Sequence, residues 1–202
     1  MTHLFPQLLD SRLEVQLDLV GCGMEHSLFH ALAGRANGLH KLHLSHCTAT
    51  GSTEAFTLDV LPLLSGLPLT HLYLYLDSND LPAGVLGGLK QLTELHICGA
   101  EVDGFEDVLP QLTSLTTLVL KRVNLYGTHV SSPSLRTLVL HSALPQLDMS
   151  NFPELKLVRL HDLCFGDINA LGDGTDTSSI NTLSGLALQL ASTSAEVRMG
   201  DE

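Results

Sequence analysis

Along most of the chain, aliphatic residues recur with a step of three followed by a step of two, as in Leu92, Leu95 and Ile97 of LTELHICGA. The step of two is the period of a short strand with one buried face, because successive side chains point to opposite sides. The same L-x-x-L-x-L frame occurs eight times. Its first positions are Glu14, Leu39, Leu69, Leu92, Leu115, Leu135, Leu155 and Leu183. Its fourth positions are Leu17, Leu42, Leu72, Leu95, Leu118, Leu138, Val158 and Leu186, and its sixth are Leu19, Leu44, Leu74, Ile97, Leu120, Leu140, Leu160 and Leu188. Successive fourth positions lie 25, 30, 23, 23, 20, 20 and 28 residues apart. Self-similarity at such periods marks a solenoid with one supersecondary unit per repeat. No unit can bury its apolar face alone, so the frame predicts eight parallel strands side by side, with their leucines in one continuous core.

Over roughly residues 13 to 191 this frame resembles the leucine-rich repeat family. The resemblance implies an α/β fold, a leucine-rich repeat solenoid: a right-handed curved superhelix with eight parallel strands on its concave face and helices and short turns on its convex face. Residues 1–12 then read as the remnant of a preceding repeat or an N-terminal edge, 13–191 as the repeat domain, and 192–202 as a polar C-terminal tail. Glu14 stands at a leucine position with no polar cap before it. The expectation is therefore either self-association through the N-terminal edge or a covering segment upstream in a longer protein.

The connections differ in length. Ser27 to Ala36 spaces Leu28, Phe29, Leu32 and Ala33 as a helix would, and Thr53 to Leu64 does the same with Phe56, Leu58, Val60 and Leu61. Helices are expected there; later connections leave room only for short 3₁₀ turns or extended segments. The third repeat, LYLYLDSNDLPAG, has two registers: one on Leu72 and Leu74, the other on Leu74 and Leu76, which would put Asn79 at the family's asparagine position and Leu81 in the core. Residues 101–107, EVDGFED, read as a solvated outer turn with Val102 and Phe105 tucked inward.

Composition narrows the function classes. The net charge is −12 and only 4% of residues are aromatic, which leaves no basic footprint for nucleic acid or anionic lipid and requires an aliphatic core. The first residues lack the basic start and apolar run of a signal peptide, and the longest uncharged stretch, Val60 to Leu76, is short for a membrane span and contains Pro62 and Pro68. Cysteines at 22, 47, 98 and 164 form no C-x-x-C, and Cys22 and Cys47 fall three residues after the sixth position, where the repeat turns. Reduced structural thiols and an intracellular, cytoplasmic or nuclear, location are expected.

The third, fifth and seventh positions face outward, so the binding surface can be read off the frame. The fifth column begins Asp18, His43, Tyr73, His96; the seventh begins Val20, Ser45, Tyr75, Cys98; the third contains Lys41, His71 and Glu94. Further along lie Lys121, His141, Arg159 and His161, a basic patch with a histidine pair on adjacent strands. Catalysis finds little support: Ser45 near His43, or His161 beside Asp162, sits on an open sheet that excludes no water. A histidine-based metal site, from His43 with His71 or His141 with His161, lacks a third and fourth ligand, and no cofactor is implied. What the resemblance implies instead is a non-catalytic scaffold or recognition module for a protein partner. Lys41, His43, His71, Tyr73, Tyr75, Glu94, His96, Lys121, His141, Arg159 and His161 are its candidate contacts. A ubiquitin-ligase adaptor is the alternative, and it would need an F-box segment upstream.

Overall fold

A computed structural model of the chain describes residues 15–21, 23–24, 38–49, 61–126, 130–141, 151–161 and 196–200. Eight of its strands lie side by side, all parallel, in the order they occur in the chain: β1 (Val15–Val20), β3 (Leu39–Ser45), β5 (His71–Pro82), β6 (Glu94–Asp103), β7 (Thr117–Lys121), β9 (Thr137–His141), β10 (Leu157–His161) and β11 (Glu196–Gly200). Three shorter strands lie beyond the corners. β2 (Gly23–Met24) pairs with β4 (Thr48–Ala49), and β8 (Asn124–Tyr126) pairs with the far end of β6.

The frame's leucines meet across the sheet in two unbroken rows. Leu42, Leu72, Leu95, Leu118, Leu138 and Val158 are successive partners, as are Leu44, Leu74, Ile97, Leu120, Leu140 and Leu160. All of them are buried, with the first-position leucines from Leu39 to Leu155, in one core cluster. Behind the rows pack Leu61 and Leu64 from a 3₁₀ turn (Leu61–Gly66), Leu86 from another (Ala83–Leu86), and Phe105 and Val108 from the single helical turn α1 (Phe105–Val108). Val102 and Phe105 are fully buried, so the acidic stretch 101–107 turns its two apolar residues inward as its pattern suggests.

A second set of bonds runs beside the leucines. The hydroxyls of Thr70, Thr93 and Thr116 donate to the carbonyls of His40, Thr70 and Thr93 at 3.1, 2.9 and 3.1 Å, each reaching the same position one repeat earlier. The backbone N–H groups of the same three threonines donate to the same carbonyls at 2.8–2.9 Å. At the other end of the strands the chain turns sharply two residues after the sixth position. Gly21, His46, Gly99 and Arg122 all have positive φ, between 51° and 69°, the left-handed region that bends the backbone away from the strand direction. One residue further on, Cys47 Sγ donates to Leu19 O across the repeat at 3.3 Å, which gives that buried thiol a structural role at the turn.

Four sequence expectations need adjusting. Both registers of the third repeat hold, each on its own half: Tyr75 pairs with Cys98 but Asn79 with Ala100, so two extra residues enter β5 between them, and Leu81 is fully buried. Leu17 and Leu19 are only partly buried, because β1 has a strand on one side alone among the described residues. Of the helix expected over Thr53 to Leu64, only Leu61–Leu64 are described, and they lie in a 3₁₀ turn, where Pro62 lacks the N–H group that a continuing helix needs. The helix expected over Ser27 to Ala36 lies outside the described residues. Finally, the strand next to β10 is Glu196–Gly200, inside the segment expected to be a polar tail. Its Val197 and Met199 stand in register with Val158 and Leu160, an aliphatic alternation without leucine that the frame passes over. The expected eighth strand around Leu186 lies outside the described residues.

Candidate functional site

With the even positions of each strand buried, the odd positions form the opposite face of the sheet, and the register sets them in rows. One row reads Asp18, His43, Tyr73, His96, Val119, Val139, Arg159, Arg198; the next reads Val20, Ser45, Tyr75, Cys98, Lys121, His141, His161, Gly200. The third-position row contains Lys41, His71 and Glu94 side by side. All eleven candidate contacts thus share one face. They fall into two groups, one on β3, β5 and β6 and the other on β7, β9 and β10.

The first group is a bonded aromatic cluster. Tyr73 and His96 have ring centroids 4.4 Å apart, His43 and Tyr75 5.4 Å, and His43 and Tyr73 5.9 Å at 65°, an edge-to-face contact. Glu94 anchors it. Its Oε1 accepts the Tyr73 hydroxyl at 2.9 Å and faces His96 Nε2 at 2.9 Å, while its Oε2 lies 3.8 Å from His71 Nε2. Burial pushes the Tyr73 hydroxyl up to about 12, and the adjacent Glu94 carboxylate adds to the effect. Burial also lowers the His96 pKa; the Glu94 carboxylate opposes this, but desolvation is the larger effect. A neutral His96 facing an ionised carboxylate must carry its proton on Nε2. On the other side, His71 Nδ1 lies 2.9 Å from Thr70 Oγ1, which also lies 3.1 Å from His40 O. Glu94 thus ties Tyr73 and His96 together at the centre of the cluster.

At the β1 side, His43 Nδ1 stands 3.5 Å from Asp18 Oδ1, and Ser45 is two residues along on the same face. A serine–histidine–carboxylate relay would require Ser45 bonded to the other imidazole nitrogen. That nitrogen, His43 Nε2, is buried and has no hydrogen-bond partner, so the nucleophile–base bond is missing. The second group centres on His141 and His161, whose rings stack 4.5 Å apart and 11° from parallel. Parallel rings at that distance hold their nitrogen lone pairs side by side, whereas a zinc ion needs them convergent at about 2.0–2.1 Å. Among the described residues no three His, Cys, Asp or Glu side chains gather as metal ligands. Asp162, the other carboxylate considered for His161, lies outside the described residues.

Two features of this face were not legible in the motif. The threonine ladder fixes His71 through Thr70, and Arg198 with Glu196 enters from a strand that the leucine frame does not mark; Arg198 bonds Glu196 at 2.9 and 3.2 Å.

No family model matches the sequence, and no curated protein matches it. Among solved structures, the chain is similar to an internalin from Listeria monocytogenes, with a TM-score of 0.39 and 12% identity, over 85% of this chain and 52% of that one. The chain thus spans about half the length of that protein, and a likeness at this level fixes neither family nor function. Among the described residues no helix is long and apolar enough to cross a membrane.

Proposed function

We propose that this chain is a leucine-rich repeat solenoid acting as a non-catalytic protein-recognition module, which docks a partner on the face of the sheet opposite the leucine core, with Tyr73 and Tyr75 as its anchors. The observation that carries this reading is the cluster of His43, Tyr73, Tyr75 and His96 around Glu94. Aromatic side chains already held on a sheet, Tyr73 by its bond to Glu94 and Tyr75 by its ring contact with His43, lose little freedom on binding, and tyrosine is among the residues that most often dominate interface energy. Lys41 and His71, on the adjoining third-position row, supply a polar rim.

The test is affinity capture from native cell extract with wild type and a Tyr73→Ala/Tyr75→Ala variant, followed by titration of the captured partner. Neither ring belongs to the leucine core, so the variant is expected to fold. Partner affinity should fall by at least about 2 kcal/mol, or roughly thirtyfold, if these are hot spots. Equal affinity for the two proteins would remove the tyrosine platform from the reading.

A further inference from the structure

The two halves of the exposed face differ in charge. Across β1, β3, β5 and β6 the outward rows hold two carboxylates, Asp18 and Glu94, and one cation, Lys41; across β7, β9, β10 and β11 they hold three cations, Lys121, Arg159 and Arg198, and one carboxylate, Glu196. On a chain of net charge −12 this is a local reversal of sign. Glu196 already serves Arg198, and Arg159 lies close enough to help hold the Glu196 carboxyl below its ordinary range. Lys121 and Arg159 form no ion pair among the described residues. Between them lie Val139, half-buried, and the stacked His141–His161 pair, none of which carries a carboxylate.

Resting on the docking reading above, we infer that this half of the face receives an acidic, extended segment of a protein partner. The spacing sets the pattern of that segment. Lys121 and Arg159 are two strands apart across the sheet, about 10 Å at the usual strand spacing, and two residues apart along it, about 7 Å, giving a diagonal of roughly 12 Å. An extended chain advances about 3.3 Å per residue and turns alternate side chains to the same face, so two carboxylates four residues apart, about 13 Å, reach both cations, with the apolar residue midway between them resting on Val139. A nucleic acid strand is the less suitable polyanion, since its evenly spaced charges would meet this small group of cations and then an acidic protein surface whose field repels it.

The experiment uses the full chain and three fluorescent probes read by anisotropy: a twelve-residue peptide with glutamates four apart and leucines between, the same peptide with glutamines, and a twelve-nucleotide oligothymidine. The glutamate peptide should bind at least tenfold more tightly than the other two, and more weakly at 200 mM than at 50 mM salt. Lys121→Glu and Arg159→Glu should each weaken it at least tenfold, and Lys121→Met and Arg159→Met at least threefold, with melting temperatures showing that all four fold. Equal binding of the glutamine peptide, indifference to the substitutions at Lys121 and Arg159, or oligothymidine binding as tight as the peptide would overturn the inference. The Tyr73→Ala/Tyr75→Ala variant separates it from the platform reading. If that variant keeps peptide affinity but loses none for the captured partner, the platform fails and the acidic-segment site stands. If the captured partner is tyrosine-dependent while no protein variant affects peptide binding, the reverse holds.

Discussion

An alanine at Gly88 tests whether the turns behind the sheet are packed in direct contact, as stacked repeats require. Gly88 follows the turn Ala83–Leu86 and lies against Ser65 of the turn Leu61–Gly66; both residues are exposed, so the substitution changes little buried area. A Cβ on Gly88 would lie 2.4 Å from Ser65 Cβ and 3.3 Å from Ser65 Cα. Carbon atoms in ordinary contact stand about 3.5–4.0 Å apart, so the turns must part by about 1 Å. No rotamer relieves the clash, because the backbone fixes both Cβ atoms. Overpacking of this kind costs about 1–3 kcal/mol, and the lower unfolded-state entropy of alanine returns about 0.4–1 kcal/mol. The expected net loss is about 0.5–2 kcal/mol, measured by urea unfolding of wild type, Gly88→Ala, Ser65→Gly and the double variant. Removing the Ser65 Cβ deletes the 2.4 Å contact, so the double variant should show a favourable coupling of about 1 kcal/mol. A Gly88→Ala protein as stable as wild type, or an equal loss with and without Ser65→Gly, would refute direct packing of these turns.

Leu118→Ala should cost about 2–5 kcal/mol through the cavity it leaves in the fourth-position row, and a loss below about 0.5 kcal/mol on urea unfolding would contradict the register. Thr93→Val should cost only about 0.5–1 kcal/mol, because Thr70 O keeps the Thr93 and Glu94 N–H donors at 2.8 and 3.0 Å; a loss above about 2 kcal/mol would show that the ladder does more than add one bond per repeat. His96 has a lowered pKa in the folded chain, so the unfolded state binds more protons below about 6.5, and the contribution of His96 to stability is present above that pH and lost as pH falls beneath it. Urea midpoints between pH 7 and 5 should accordingly decline less in His96→Gln than in wild type, and parallel curves would refute the assignment.

Much of the fold is legible because the leucine frame states two physical demands at once: alternation makes a strand, and repetition supplies the neighbour that buries it. The rows from Leu42 to Val158 and from Leu44 to Leu160 follow from that pattern alone. The pattern misleads where a strand carries no leucine, as β11 does with Val197 and Met199 at the registered positions, and where an insertion keeps the period of two. In β5 the extra pair of residues changes which repeat position each side chain occupies without changing the face it points from, so alternation could not separate the two registers.

The membership of the exposed face was legible for the same reason, since a residue between two buried leucines must point outward. Its bonding was not. Nothing in the spacing of His71, Tyr73, Glu94 and His96 says that one carboxylate accepts from a hydroxyl and an imidazole on neighbouring strands, because that depends on side-chain torsions within an already assembled sheet. The consequence runs from fold to site. The Thr70 hydroxyl that ties its repeat to the one before it also contacts His71, and the leucine rows hold Glu94 directly across from His71 and diagonally from Tyr73. The aromatic cluster is therefore oriented by the core beneath it, and a substitution that shifts the register of β5 against β6 should disorder the exposed face even where it touches none of the side chains on it.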